Sequence, residues 1–212
     1  SSPETLMRTT VAKDTETIDI KTIVLAGTRP MFNNPYQPER NKQMRDDLLN
    51  DPKEIKEHVM SVRQVQVAEL SQVCLPGSVC VKGLMQVLEQ RTVQHLKSTL
   101  CGTLSPDQTP WDGLRALFPA VTVTGVDRKT AIEKIAIYEH LPRGLYSGCI
   151  GWIDAAGNSE FALALRSAFE DRSGVTIRAG AGIIAESKPP REYDETYHKM
   201  SAIHRNLVLT QD

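Results

Sequence analysis

Two short acidic patterns at helical spacing constrain this chain more than any other feature. Glu54-Ile55-Lys56-Glu57 and Glu192-Tyr193-Asp194-Glu195 each set two carboxylates three residues apart, with an apolar residue after the first. On an α-helix such residues share one face, which Ser61 continues in the first segment and Lys199 in the second. Asp51 reads as the N-cap of the first helix, Pro52 suits its first position, and Glu54 is expected to complete a capping box. Ile55, Val59, Val62, Leu70 and Val73 recur at helical spacing as far as Leu75, where Pro76-Gly77 ends the run. In the second segment Tyr193, Tyr197, Met200 and Leu207 are expected to pack on a core. Burying both apolar stripes would bring the acid-bearing edges to one cleft. Carboxylates gathered there repel unless a cation lies between them, and oxygen-only ligands favour magnesium. The competing reading is two solvated charged faces. A capping box accounts for Glu54 but leaves Glu57 unexplained.

Composition narrows the classes of function. The chain has 212 residues, 40% of them hydrophobic and 24% charged, enough for an ordinary globular core. A net charge of -1 argues against nucleic acid or an anionic membrane as partner. No apolar run is long enough for a membrane span, and no signal peptide is visible. Cys74, Cys80, Cys101 and Cys149 lack metal-binding spacing, so reduced thiols and a cytoplasmic location are expected.

In chain order, Ser2-Pro3-Glu4 reads as a strand end or corner and Ile18–Ala26 as a strand, followed by a turn at Gly27-Thr28-Arg29-Pro30. Residues 31–43 are rich in Asn, Pro and charge and read as a loop. After the Asp51 helix, residues 91–104 alternate as a strand, with His95 on the face of Val93 and Lys97. Residues 106–118 hold a short helix whose apolar face includes Trp111, Leu114 and Leu117. A hydroxyl-bearing turn over Phe118–Gly125 and a helix over Thr130–Glu139 follow. Three strands are expected at Ser147–Asp154, Glu160–Ala168 and Val175–Ile184, joined by turns at 155–158 and 170–174. Short turns between neighbouring strands imply antiparallel pairing, and the mixture is of α+β class around a large sheet. Tyr146, Arg166, the Gly180-Ala181-Gly182 amides and Lys199 supply groups that hold carboxylates. With the acids they point to a dicarboxylate beside magnesium, although each alone is compatible with a structural role.

Several segments together resemble the C-terminal half of the chorismate-utilising enzymes: anthranilate synthase component I, aminodeoxychorismate synthase, isochorismate synthase and salicylate synthase. They are Ser2-Pro3-Glu4, Leu25–Arg29, Asp51–His58, Val93–Leu96, Phe118–Thr122, Pro142–Gly148, Arg178–Ile183 and the set Glu192, Glu195 and Lys199. The order of eight motifs carries the resemblance; none would suffice alone. The wording of the Leu25, Asp51, Val93 and Phe118 segments is most similar to salicylate synthases, which form isochorismate from chorismate and water and then eliminate pyruvate. Isochorismate synthase, anthranilate synthase component I and an inactive chorismate-binding fragment are the alternatives.

The resemblance implies an antiparallel-rich α+β fold in which residues 1–212 form the C-terminal portion of one chorismate-binding domain. It implies Glu57 and Glu195 as direct magnesium ligands, with Glu54 and Glu192 holding coordinated waters. Glu4 corresponds to the general acid that protonates the departing C4 hydroxyl. Tyr146, Arg166, Gly180, Ala181 and Gly182 would bind substrate carboxylates, with Lys199 near the metal-bound one. Gly27 and Thr28 would line the ring site, and His95 and Thr122 would act close to the ring and enolpyruvyl group. Where the family has Ser-Gly-x-Pro-Lys, this chain has Thr124-Gly125-Val126-Asp127-Arg128, which keeps the positive charge but is expected to loosen the helix entry. The family's general base is a lysine of the N-terminal half, to which nothing here corresponds. The expected partners are chorismate or isochorismate and that missing half, the chain being a cleaved fragment, a split subunit or a truncated product.

Overall fold

The strand expected at Ile18 extends to Pro30 and becomes the centre of the sheet. The structure, a computed structural model, describes residues 4–32, 38–90, 93–172 and 174–204. Strand β1 (Glu4–Val11) and β2 (Ile18–Pro30) lead to helix α1 (Pro38–Asn50) and helix α2 (Pro52–Arg63). A π-helical stretch, Gln64–Leu70, and the short α3 (Ser71–Val73) continue α2. Then come β3 (Cys80–Glu89), β4 (Val93–Thr103), α4 (Pro110–Leu117), the single turn α5 (Val121–Thr124) and α6 (Arg128–Tyr138). Strands β5 (Cys149–Ile153), β6 (Ser159–Leu163), β7 (Ala168–Asp171) and β8 (Gly174–Ile177) precede helix α7 (Pro189–His204).

Six strands form one antiparallel sheet in the order β3-β4-β2-β1-β6-β5, and β7-β8 form a separate hairpin. The α+β, antiparallel-rich architecture expected from the short turns is therefore present. Alternation in β2 and β4 turns Ile20, Val24, Leu96 and Leu100 inwards, where α2 and its continuation cover the sheet with Val62, Val65, Leu70 and Val73. Each such side chain contributes about 1.5–3 kcal/mol by leaving water. His58, fully buried, fixes α2 to this sheet: Nδ1 donates to the Ala26 carbonyl at 2.9 Å, and Nε2 accepts from Ser98 Oγ at 2.7 Å. That anchor sets the angle at which Glu54 and Glu57 are presented.

Several local expectations change. Helix α1 begins at Pro38, inside the stretch read as a loop; residues 33–37 lie outside the described residues. Its sequence is polar, with Leu48 the one buried side chain, so periodicity gave no signal. Strand β3 was not anticipated, because Gly83 and Met85 at positive φ break its alternation and its side chains are mostly exposed. Residues 121–124 form a helical turn rather than an open one. Residues 168–171 pair with 174–177 as their own hairpin, so the expected turn over 170–174 is largely strand. Trp111 is 57% exposed, resting at an angle against Phe161 rather than facing the core. The entry to α6 is not loosened: Asp127 accepts from the Thr130 amide as an N-cap, offsetting the absent proline. Arg128 turns away from any open site to the Ala116 carbonyl and the buried Glu69.

Helix α7 turns its acid edge to the cleft as expected, but its tyrosines do not pack on a core. Tyr193 and Tyr197 are 74% and 60% exposed, whereas Glu192 is 4% exposed. Ion pairs rather than an apolar stripe hold its first turn to the rest of the fold. Leu207 lies outside the described residues.

Candidate active site

The site begins at an irregularity in the central strand. The β2–β4 register shifts between Leu25 and Thr28, and Gly27 adopts φ +86° there, a conformation that favours glycine. A Cβ at Gly27 would lie 3.3 Å from the Glu54 side chain and 3.2 Å from Leu96. The shift aims Thr28 at two neighbours: its amide donates to Glu54 Oε2 at 3.3 Å, and its Oγ1 lies 3.1 Å from His95 Nδ1.

Glu54 is wholly buried and heavily partnered. Arg29 Nη1 lies 3.2 Å and Arg191 Nη2 2.8 Å from its Oε1. Its carboxylate thus turns away from the helix end, and the expected capping box is only half made: Asp51 accepts from the Lys53 and Glu54 amides without a return bond from Glu54. Arg29 also reaches Asp47 at 2.5 Å and Asp51 at 2.6 Å, tying β2 to α1 and α2. Burial pushes the Asp51 carboxyl up, but hydrogen bonds from Arg191, the Glu54 amide and Arg29 outweigh it and bring it to about 2.

The two acidic patterns do converge. Lys53 Nζ lies 2.9 Å from Glu57 Oε2 on α2, 3.1 Å from Glu192 Oε1 on α7 and 3.6 Å from Glu54 Oε1. Burial pushes the Glu57 carboxyl up; the neighbouring Lys53 opposes this, while Glu54 and Glu195 reinforce it. Glu192 Oε1 forms an ion pair with Lys53, while its buried Oε2 has no hydrogen-bond partner. Glu195 pairs with Lys199 at 2.7 Å. Among the described residues no three carboxylate, imidazole or thiol groups are drawn together as a ready metal cage.

The glycine loop lies against these acids. A Cβ at Gly182 would fall 2.3 Å from Glu57 Oε1, and one at Gly180 3.0 Å from the Tyr146 hydroxyl. Lys199 Nζ donates to the Gly180 carbonyl at 3.0 Å, closing the loop onto α7. Ala181 sits between the two glycines, at the mouth of an open groove of about 340 Å³ that also involves Ile184, Glu192 and Thr196.

A second cluster adjoins the first. Arg166, in the connection between β6 and β7, donates to Glu4 at the start of β1, to Gln90 Oε1 at 2.7 Å and towards His95 Nε2 at 3.3 Å. A guanidinium only donates, so Nε2 accepts and the His95 ring proton sits on Nδ1, facing Thr28 Oγ1. Burial lowers His95, and the Arg166 and Lys199 charges lower it further, to about 3. Burial raises the Glu4 carboxyl against the opposing pull of Arg166 and Lys199. A buried carboxyl raised in this way is suited to donating a proton.

Most residues singled out in the sequence thus stand in one connected cleft: Glu4, Thr28 and His95 on the sheet, Arg166 in the connection after β6, Glu54 and Glu57 on α2, Glu192, Glu195 and Lys199 on α7. Gly27, Tyr146 and the Gly180–Gly182 loop form its walls. Thr122 stands apart, lining a narrow cleft with Leu6, Thr22, Val65 and Glu69, and makes no side-chain hydrogen bond among the described residues. Sequence reasoning gave no role to Lys53, Arg29, Arg191 or Gln90. The first two lie inside the motifs already quoted, and that position was their one available signal.

Comparison with known proteins places the chain in a family. Residues 1–205 match the family model for chorismate binding enzymes. The chain is 42% identical over 187 residues to salicylate synthase of Mycolicibacterium paratuberculosis, covering 88% of this chain and 41% of that protein. It is 39% identical over 203 residues to anthranilate synthase component 1 of Saccharolobus solfataricus, covering 96% and 46%. The menaquinone-specific isochorismate synthase MenF of Escherichia coli superposes with a TM-score of 0.79 at 30% identity, over 95% of this chain and 44% of that one. The chain therefore spans less than half the length of these relatives. With residues 1–205 matched and the fold shared, the chain belongs to the chorismate binding enzyme family.

Proposed function

We propose that this chain carries the magnesium and substrate site of a salicylate synthase, acting as the C-terminal portion of one chorismate-binding domain. The observation that supports the reading best is the meeting of Glu57 and Glu192 around a single cationic nitrogen, with Glu195 beside them and the glycine loop in contact. The buried, unpartnered Glu192 Oε2 fits a bound cation, and an all-oxygen donor set suits magnesium, which keeps waters and takes one or two carboxylates directly. Glu57 and Glu195 would hold it, with Glu54 and Glu192 bonded to its waters. When bound, magnesium neutralises a substrate carboxylate and orients the ring.

The chain's own groups divide the remaining work. Tyr146, Arg166 and the Gly180–Gly182 backbone receive the carboxylates of chorismate, with Lys199 beside the one at the metal. Glu4, its carboxyl raised by burial, donates a proton to the departing C4 hydroxyl; the contact with Arg166 holds the carboxyl in place. His95 stays neutral and, with Thr28, borders the ring. Water enters at C2 with a base from the segment that the relatives possess beyond the matched region, and pyruvate elimination then gives salicylate. The anthranilate synthase relative supports a second reading, in which ammonia replaces water.

Product analysis separates these readings. The chain is combined with the N-terminal half of the salicylate synthase relative, and chorismate and magnesium are added. Salicylate fluorescence and pyruvate release are expected. Isochorismate alone, or anthranilate only when ammonia is supplied, would replace the salicylate assignment with the corresponding activity. Unchanged chorismate in an assembly shown to be folded would count against an enzymatic role.

A further inference from the structure

We propose that Lys53 is an internal counter-cation that holds the acidic cleft together without a divalent ion and competes with that ion for Glu57 and Glu192. The proposal rests on the reading above, a divalent cation held by Glu57 and Glu195 with Glu192 bonded to one of its waters.

Lys53 occupies an unusual place for a lysine. Its side chain is 9% exposed, and lysine is rarely buried unless paired. The ammonium lies 2.9 Å from Glu57 and 3.1 Å from Glu192, bridging α2 and α7. Glu54, the third carboxylate in reach at 3.6 Å, already has Arg29 and Arg191 at hydrogen-bond distance. The charge of Lys53 therefore serves chiefly the other two acids. Without it, Glu57 and Glu192 would face each other at low exposure with no cation between them, which is costly.

The geometry that suits an ammonium differs from that for a small divalent ion. Magnesium binds oxygen at about 2.0–2.1 Å and demands near-octahedral surroundings. Glu57, held about 3 Å from a nitrogen, must close in on such an ion, Glu192 must turn to its bound water, and the nitrogen must withdraw from between them. A lysine suits this exchange: its charge is compact and its stem has four flexible carbons, whereas an arginine fork would hold fixed paired bonds. Lys53 is in this sense a positioning residue, keeping the acids apart and neutralised until an ion arrives.

Lys53→Met keeps the length of the stem and removes the charge. Manganese binding, followed by the loss of the free-ion paramagnetic resonance signal, is expected to tighten by about tenfold or more, since a full charge of the same sign as the ion leaves contact distance of its ligands. Thermal melting supplies a readout independent of activity. In EDTA the variant is expected to melt below the parent chain, and saturating magnesium to restore it, so that the metal-induced rise in Tm exceeds that of the parent. Lys53→Arg, which retains the charge, is expected to keep the low melting gain and bind manganese no more tightly than the parent. If Lys53→Met does not fold in EDTA, Lys53→Gln provides the same comparison with a polar side chain. Equal or weaker manganese affinity in the folded neutral variants overturns the competition while leaving the metal site standing. No manganese binding by the parent or any variant overturns both.

Discussion

At the scale of single residues, burial sets protonation in this cleft as much as charge does. His95 lies between Thr28 and Arg166, and burial with the nearby Arg166 and Lys199 charges lowers it from 6.5 to about 3. The unfolded chain then binds a proton below pH 6.5 that the folded chain refuses until about pH 3. The stability this residue supports is complete above pH 6.5 and falls as the pH drops through that interval. His95→Gln is expected to flatten that part of the stability curve, measured by urea denaturation at a series of pH values. An unchanged slope between pH 6 and 4 would show that the ring is not held neutral. Sequence showed His95 on a strand but left its partners open, because spacing along a strand does not say which loop arrives opposite. Lys53, Arg29 and Arg191 were hidden for the same reason: their roles come from neighbours far away in the chain.

At the scale of elements, two helices of different character meet. Helix α2 was legible at its start, where the N-cap aspartate and Pro52 agree, but the run expected to reach Leu75 leaves α-geometry after Arg63, and Val59 of the expected stripe is exposed. Helix α7 was legible in its acids but not in its tyrosines. An amphipathic helix ordinarily turns its apolar side inwards; here ion pairs from Lys53 to Glu192 and from Arg191 to Asp51 and Glu54 hold the charged side in and leave the tyrosines out. Tight contact between the glycine loop and α2 gives this arrangement a test. Gly182→Ala places a methyl where Glu57 Oε1 now stands, and the carboxylate must move. Magnesium binding by calorimetry is expected to weaken by about tenfold or more, the cost of shifting one ligand of a fixed set. Melting temperature should fall only slightly, since the loop is not part of the main core. Unaltered binding would place the metal away from Glu57.

At the scale of the whole molecule, a single antiparallel sheet carries residues from both ends of the chain into one cleft. Glu4 opens the first strand and His95 lies on the fourth, yet the charges of Arg166 and of Lys199 on the last helix act on both. The α+β class and the convergence of the acid pairs were legible because strand alternation and helical spacing are local signals. Strand β3 and the separate β7–β8 hairpin were not, since broken alternation and short length leave no period to read. Three walls of the cleft, the sheet, α2 and α7, belong to this chain, so its ion chemistry can be measured on this chain directly. The most direct measurement is manganese and magnesium binding to the chain and to Glu57→Gln and Glu195→Gln, one acid from each pattern. Saturable binding by the parent chain, weakened at least about tenfold by either substitution, is the predicted result, each removing one charged ligand. Binding of equal strength in all three proteins would contradict the account, because the ion would then lie outside the cleft that the two acidic patterns build.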